Sequence, residues 1–449
     1  MIKITKFGGS SCASAEQFQK VKNIIEADPT RRFVVVSAAG RRFKKDNKLT
    51  DLLYLCEAHL KYHVDHLPLF NMIAERFFEI KREIGVDTPI EEELAAMREA
   101  LPEMSTDDIV SRGEYFTARL MADFLGYAFV DAKDVVAINF DGTFNFEESE
   151  RRVAEILKTK KRFVMPGFYG SLPDGSIRLM SRGGSDISGS ILARCLNADE
   201  YENWTDVSGF LMADPRIVDN PRGIESITFA ELRELSYMGA GVLHEDVVSP
   251  LREKDIPIRV KNTNRPEDPG TVVRDSIPPD PTGQLVTGIA GRKDFVAIEI
   301  SQKNMSNRVG FIREVLSVLE QYGVSVEHIP SGIDSFSVVV NREDVKQNIH
   351  EIIARIKTAM NPDVIRLTDP FALIATVGRN MHSRPGTAAK VFTALGEAGI
   401  NIRMIAQGSA ELNIIVGVDN RDLGKAIHCL YNTFNADAQA VAARRAHQN

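Results

Sequence analysis

The chain has 449 residues, 43 % of them hydrophobic and 26 % charged, with a net charge of −7 at pH 7. That length predicts two or three globular domains. The mildly acidic balance gives no support for nucleic-acid binding as the main task, no apolar run is long enough to span a bilayer, and no apolar segment follows the Met1–Lys6 opening as a signal peptide would require.

Met1–Ile4 reads as a short strand, and Lys6-Phe7-Gly8-Gly9-Ser10-Ser11 as the turn behind it. A glycine-and-hydroxyl turn there presents several backbone N–H groups to one anion, and the lysine adds a full charge. The combination suits a transferring phosphate; a plain strand-to-helix turn is the alternative, and the spacing is not that of a Walker loop. Phe33–Ser37 is a continuous apolar run, typical of a strand covered on both faces. The basic stretch Gly40–Lys48 that follows reads as a solvated loop or as a flap near phosphates. A helix is predicted from about Thr50 to Leu60, and residues 67–126 read as mostly helical, punctuated by Pro68, Pro89 and Pro102. Ser111 and Glu114 have the spacing of a capping box; the other reading is a Glu114 carboxylate that holds a ligand's ammonium group. Tyr127–Val130 and Arg162–Met165 look like further strands, so strands and helices alternate as in an α/β sheet with helices on both faces.

A second glycine turn, Ser181-Arg182-Gly183-Gly184-Ser185-Asp186, precedes a helix from Ile187 to about Leu196. Ser185 or Asp186 would cap that helix, or its N-terminus would take an anion while Arg182 clamps a carboxylate. Thr205-Asp206 ends the strand-like Tyr201–Trp204, either as an Asx turn or as a nucleotide contact at the carboxyl end of a strand. The segment Pro278–Gly283, with three prolines, continues neither helix nor central strand and is read as the main domain boundary. Beyond it a unit is duplicated: Arg308-Val-Gly310 recurs as Arg384-Pro-Gly386, Val315 as Val391, Leu319 as Leu395 and Gly323 as Gly399, all at one offset. Each copy reads as a βαββ unit, too small to hold a core alone. The four scattered cysteines, Cys12, Cys56, Cys195 and Cys429, have no metal-type spacing and fit a cytoplasmic protein with reduced thiols.

Taken in order, Lys6–Ser11, Ser181–Asp186, Trp204–Val207, Asp214-Pro-Arg216, Ile258–Thr263 and Pro269–Thr271, with the duplicated end, resemble the aspartate kinase family over essentially the whole chain. The resemblance implies an α/β amino-acid-kinase domain over 1–283, its sheet sandwiched by helices, followed by two βαββ ACT-type units over 284–449. The first would span about 298–364, and the second would be built from about 284–297 plus 365–449. It implies transfer of the γ-phosphate of ATP, with Mg²⁺, to the side-chain carboxylate of L-aspartate. Lys6 would stabilise the transferring phosphoryl and Asp186 would position Lys6. Gly8, Gly9 and Ser10 would lie at the nucleotide phosphates, and Thr205, Asp206 and Arg216 would contact the nucleotide. Ser37 and Thr50 would line the aspartate side, Glu114 would hold the substrate ammonium and Arg182 its α-carboxylate. An amino-acid effector, lysine and/or threonine, would meet Met305, Arg308, Gly310, Phe311, Glu327 and Ser331, and paired ACT units imply a homodimer or larger. Leu211 and Gly241 stand where common members have tyrosine and lysine.

Two rivals remain at this stage. One is a kinase of the same fold acting on another amino acid, which the ACT pair and the Lys6–Ser11 form oppose. The other is an amino-acid sensor with an inactive kinase domain, which the intact set Lys6, Glu114, Arg182 and Asp186 opposes. Because the chain stops after the second repeat, a fused homoserine dehydrogenase is not expected.

Overall fold

Continuous apolar runs build the first sheet. A computed structural model describes residues 1–449 apart from 181–182, 240–242, 244, 278–284, 382–383 and 447–449. Arg182, Gly241 and the proline-rich segment Pro278–Gly283 therefore lie outside the described residues. The chain falls into two compact units. The first comprises Met1–Phe210, Gly223–Phe229 and Val242–Ile277; the second comprises Leu211–Arg222, Ala230–Gly241 and Pro278–Asn449.

The strands of the first unit are β1 (Lys3–Phe7), β2 (Arg31–Val36), β3 (Ala128–Phe129), β4 (Phe163–Pro166), β5 (Tyr169–Ser171), β6 (Ile177–Leu179), β7 (Glu200–Thr205), β8 (Ser226–Thr228), β9 (Ile258–Asn262) and β10 (Thr271–Arg274). Eight of them form one sheet in the order β3-β4-β2-β1-β7-β9-β10-β8, and β5 pairs with β6 apart from it. Only the β9–β10 pair in that sheet is antiparallel. Parallel neighbours need crossovers, which here are mainly helical. The helices are α1 (Ala15–Glu26), α2 (Leu49–Lys61), α3 (Leu67–Ile84), α4 (Ile90–Ala100), α5 (Thr106–Leu125), α6 (Phe146–Ile156) and α7 (Gly184–Cys195). The chain then runs through α8 (Phe229–Tyr237), most of which belongs to the second unit, and returns as α9 (Glu245–Arg252). Phe33 to Val36 are buried throughout, as the unbroken apolar run predicts. Phe7, Phe18, Phe77, Phe116 and Trp204 anchor the core between sheet and helices.

The prolines place the breaks between α3, α4 and α5, but the cap of α5 differs from expectation. Ser105, not Ser111, is its N-cap: the Asp108 N–H donates to Ser105 Oγ at 3.1 Å, and the Ser105 N–H donates to the Asp108 carboxylate at 3.3 Å. Ser111 and Glu114 lie inside the helix, so Glu114 has no capping task.

In the second unit the duplication is visible in the backbone. Its strands are β11 (Gly288–Ser301), β12 (Ser335–Asn341), β13 (Val364–Leu367), β14 (Phe371–Val377), β15 (Met404–Ala406) and β16 (Asn413–Asp419). Its further helices are α10 (Phe311–Gln321), α11 (Arg342–Val345), α12 (Ile349–Met360), α13 (Thr387–Glu397) and α14 (Leu423–Ala446). The long strand β11 serves both repeats: its Phe295–Ser301 half pairs with β12, and Gly288–Arg292 pairs with β14. Gly310 and Gly386 cap α10 and α13 with φ of 86° and 90°, a left-handed conformation that a Cβ would strain, which is why both copies keep glycine. Val315 and Leu319 in one copy and Val391 and Leu395 in the other are fully buried, in two separate cores. Among the described residues, no helix is long and apolar enough to cross a membrane.

Candidate active site

Lys6 lies within β1, not in the turn behind it, and its register neighbours are Val35 on β2 and Asn203 on β7. Side chains alternate along parallel strands, so Lys6 and Asn203 project side by side from one face, near the carboxyl ends of both strands. The N-terminus of α7 meets them there. Lys6 Nζ stands 2.6 Å from Asp186 Oδ1, Asn203 donates to the same oxygen at 3.0 Å, and the Tyr201 hydroxyl donates to the Asp186 carbonyl at 3.1 Å. Lys6 is 7 % exposed, so the pair is largely screened from water and its Coulomb attraction is correspondingly strong. Gly183, with no side-chain cap, begins α7; neither Ser185 nor Asp186 caps it. Asp186 is thus left to hold Lys6.

The turn after β1 is a single 3₁₀ turn, Gly9–Cys12. Its amides divide into two kinds. The Gly8 N–H, expected to face phosphate, donates to the Trp204 carbonyl at 3.0 Å, and the Ser11 N–H donates to the Gly8 carbonyl at 3.0 Å. The turn's first two amides, those of Gly9 and Ser10, are the ones a helical turn leaves without internal acceptors. Gly8 lies against Lys6: a Cβ there would stand 3.6 Å from Lys6 Nζ, an ordinary van der Waals contact. Ser10 is exposed, and Ser11 Oγ is tied to Thr263 Oγ1 at 2.7 Å.

Glu114 approaches from α5. The helix docks on the segment after β2 through Thr117, whose hydroxyl accepts the Ala39 N–H at 3.1 Å and donates to the Gly113 carbonyl at 2.7 Å. Glu114 is 5 % exposed and its Oε2 is buried with no hydrogen-bond partner. Burial pushes its carboxyl up to about 8, against the opposing pull of the Ala38 N–H and of Lys6. A buried carboxyl with an unmet acceptor is a ready site for a cationic group. Cys12 is buried in the field of Lys6 and Glu114; burial pushes its thiol up to about 12, which makes it inert at neutral pH.

The remaining expected residues are less tightly gathered. Ser37 is half-buried at the end of β2, its N–H bonded to the Phe7 carbonyl, and Thr50 is half-buried in the first turn of α2. Thr205 ends β7, with its hydroxyl 3.2 Å from the exposed Asp206 carboxylate. Arg216 belongs to the second unit, where its exposed guanidinium grips Asp214 at 2.6 Å. Leu211, in the same segment, is 37 % exposed. In the first repeat of the second unit, Met305 and Phe311 are core residues at 6 % and 2 % exposure, so their side chains are not available at the surface. Arg308 bonds the Met360 carbonyl and Glu314, Gly310 caps α10 and Ser331 is exposed. Glu327 keeps one buried oxygen, Oε2, without a partner.

Asn203 and Tyr201 were not expected at this centre. The signal for them was present: residues two apart on a strand share a face, so a strand parallel to β1 had to present Tyr201, Asn203 and Thr205 together.

Comparison with known proteins identifies the relatives of this chain. The amino acid kinase family model matches residues 1–262, and an ACT domain model matches residues 374–434. The chain is 36 % identical to aspartokinase 3 of Bacillus subtilis, over 97 % of this chain and 99 % of that protein. It is similar to the crystal structure of Clostridium acetobutylicum aspartate kinase, with a TM-score of 0.90 and 46 % identity, covering 96 % of this chain and 99 % of that one. It is also similar to Escherichia coli aspartokinase III solved with aspartate and ADP, with a TM-score of 0.72 and 25 % identity over 96 % and 99 % of the two chains.

Proposed function

This chain belongs to the amino acid kinase family, among its aspartokinases, and from that premise we propose how its residues divide the work of moving the γ-phosphoryl group of ATP to the side-chain carboxylate of L-aspartate. The acceptor carboxylate is ionised at neutral pH, so the reaction needs no general base. The barrier lies in bringing one anion to another and in the charge that spreads over the phosphoryl oxygens.

Lys6 meets that charge. Asp186, steadied by Asn203, holds the ammonium in place without removing it from the site. The free amides of Gly9 and Ser10 add oriented donors; each well-placed donor is worth on the order of 3 kcal/mol in such a transition state. Mg²⁺ bound to the triphosphate would neutralise part of its charge. Among the described residues no three His, Cys, Asp or Glu side chains group as a metal cage.

Glu114 receives the substrate ammonium and Arg182 its α-carboxylate, with Ser37 and Thr50 beside the side chain being phosphorylated. Thr205 and Asp206 attend the nucleotide. The product is 4-phospho-L-aspartate, whose place is at the head of lysine, threonine and methionine synthesis.

The second unit carries regulation through its two ACT repeats, divided within β11, with lysine and/or threonine as effector. The unmet Glu327 Oε2 is the group that supports an ammonium-bearing effector. Side-by-side ACT pairing makes the protein a homodimer or larger, and four free cysteines fit a cytoplasmic location.

The observation that carries the reading is the Lys6–Asp186–Asn203 contact beside a buried carboxyl with no partner. The test is ADP formation from ATP with a panel of amino acids. L-Aspartate alone should support turnover; equal rates with glutamate or acetylglutamate, or none with any, would remove the reading.

A further inference from the structure

The segment Gly40–Lys48 is neither a free solvated loop nor an untethered flap. Arg76, in the middle of α3 and 5 % exposed, reaches it with two arms. One guanidinium nitrogen donates to Asp46 Oδ2 at 2.6 Å and the other to the Gly40 carbonyl. Asp46 also accepts from Arg42, whose backbone N–H and Nε both lie 3.0 Å from its Oδ2. Arg42 in turn reaches Glu79 on α3 at 2.5 Å. The segment is therefore fastened to α3 at three of its residues, Gly40, Arg42 and Asp46.

That fastening continues into the turn behind Lys6. Gly40, whose carbonyl Arg76 holds, donates its own N–H to the Gly9 carbonyl at 2.8 Å. The approach is so close that a Cβ on Gly40 would come within 2.5 Å of Gly9 C and O. A peptide unit is planar and trans, so a fixed Gly9 carbonyl fixes the Ser10 N–H in the opposite direction. Ser10 carries one of the two turn amides with no internal acceptor.

We propose that Arg76 is a positioning residue for phosphoryl transfer: through Gly40 it aims the Ser10 amide at the nucleotide phosphates. Binding of a triphosphate by a turn of backbone amides depends on how well those amides converge before the ligand arrives. Arg76 supplies that convergence from a helix outside the site, where it touches neither substrate. A lysine in its place reaches one acceptor, not two, because it lacks the planar fork. The proposal rests on the assignment of the Gly9–Cys12 turn to the phosphates.

The test uses the full-length enzyme and the variants Arg76→Met, Arg76→Lys and Arg42→Ala. Steady-state kinetics give KM for ATP, KM for aspartate and kcat, and calorimetry gives ATP affinity directly. Arg76→Met should weaken ATP binding at least tenfold while KM for aspartate moves less than twofold. Arg76→Lys should recover part of the loss. Arg42→Ala, which loosens the segment from the solvent side and leaves the buried Arg76 in place, should weaken ATP binding two- to fivefold in a protein that folds normally. Unchanged ATP affinity in Arg42→Ala and in a folded Arg76→Met overturns the proposal, as does a matched loss of ATP and aspartate affinity in both. Should Arg76→Met fail to fold, Arg42→Ala and Arg76→Lys decide by the same split. If wild-type enzyme bound ATP with no effect from altering the turn itself, as in Gly9→Val, the phosphate assignment would fail instead, independently of Arg76.

Discussion

With Glu114 in its proposed role as the ammonium's partner, aspartate binding should depend steeply on pH, because burial keeps that carboxyl protonated. With its carboxyl pushed up to about 8, Glu114 holds a proton on about nine-tenths of the free enzyme at pH 7. A protonated carboxyl offers an ammonium group no charge, so binding must release that proton. The apparent affinity for aspartate should then rise about tenfold from pH 6 to 7, rise by about sixfold more from 7 to 8, and flatten above 8. Each full pH unit on the slope corresponds to about 1.4 kcal/mol of coupling. Initial rates at saturating ATP and varied aspartate measure the slope. Calorimetry in two buffers of different ionisation enthalpy counts the proton, with about 0.9 released at pH 7. Glu114→Gln, a neutral group of the same shape, should bind aspartate poorly and show no slope. The same shift sets a sign for stability. The folded pKa lies above the unfolded one, so the favourable contribution is complete below about 4.5 and is lost as pH rises through about 8. The ligand-free protein should melt lower at pH 8 than at pH 5.5, and aspartate should narrow the gap. A KM for aspartate that stays flat from pH 6 to 8 in the wild type would refute the reasoning.

Other consequences can be checked separately. Lys6→Met should lower kcat by at least a thousandfold with an unchanged circular dichroism spectrum, since the ammonium acts on charge that develops in the transition state. Asn203→Leu, which removes the amide donor on Asp186 Oδ1, should cost kcat ten- to a hundredfold and leave KM for aspartate close to wild type. Leu395→Ala empties a fully buried position in the second repeat and should cost about 3 kcal/mol in denaturant unfolding, with turnover by the remaining folded protein intact. Lysine or threonine should bind by calorimetry, and Glu327→Gln should weaken a lysine response at least tenfold; no heat with either amino acid would reject the effector assignment.

Much of the architecture could be read from the sequence because its signals are local. Phe33–Val36 is apolar without interruption, and a strand buried on both faces leaves no other pattern. Gly310 and Gly386 recur because both backbones turn left-handed at the start of a helix. Lys6 and Asp186 stand out as charges beside glycines, and the structure brings them together across 180 residues of chain. What stayed hidden depends on contacts that no local pattern encodes. Ser111 and Glu114 imitate a capping box six residues too late, because the true cap, Ser105 with Asp108, has the same spacing. The Gly8 amide looked free until the alignment of β1 with β7 gave it the Trp204 carbonyl. The exposed-looking run Gly40–Lys48 contains Asp46, whose partner Arg76 lies thirty residues away on a helix that reads as ordinary core. Likewise, the assignment of Leu211–Arg222 to the second unit comes from long-range pairing, such as the Ile289 N–H to the Met212 carbonyl at 2.7 Å.

In the proposed reaction the side-chain carboxylate of aspartate is phosphorylated beside Lys6. Trapping with hydroxylamine measures that event directly, because an acyl phosphate gives a hydroxamate and a phosphate ester does not. Wild-type enzyme with ATP, Mg²⁺ and L-aspartate should yield aspartate β-hydroxamate in step with ADP, and Lys6→Met should yield almost none. ADP formed without hydroxamate, or hydroxamate formed equally well by folded Lys6→Met, would contradict it.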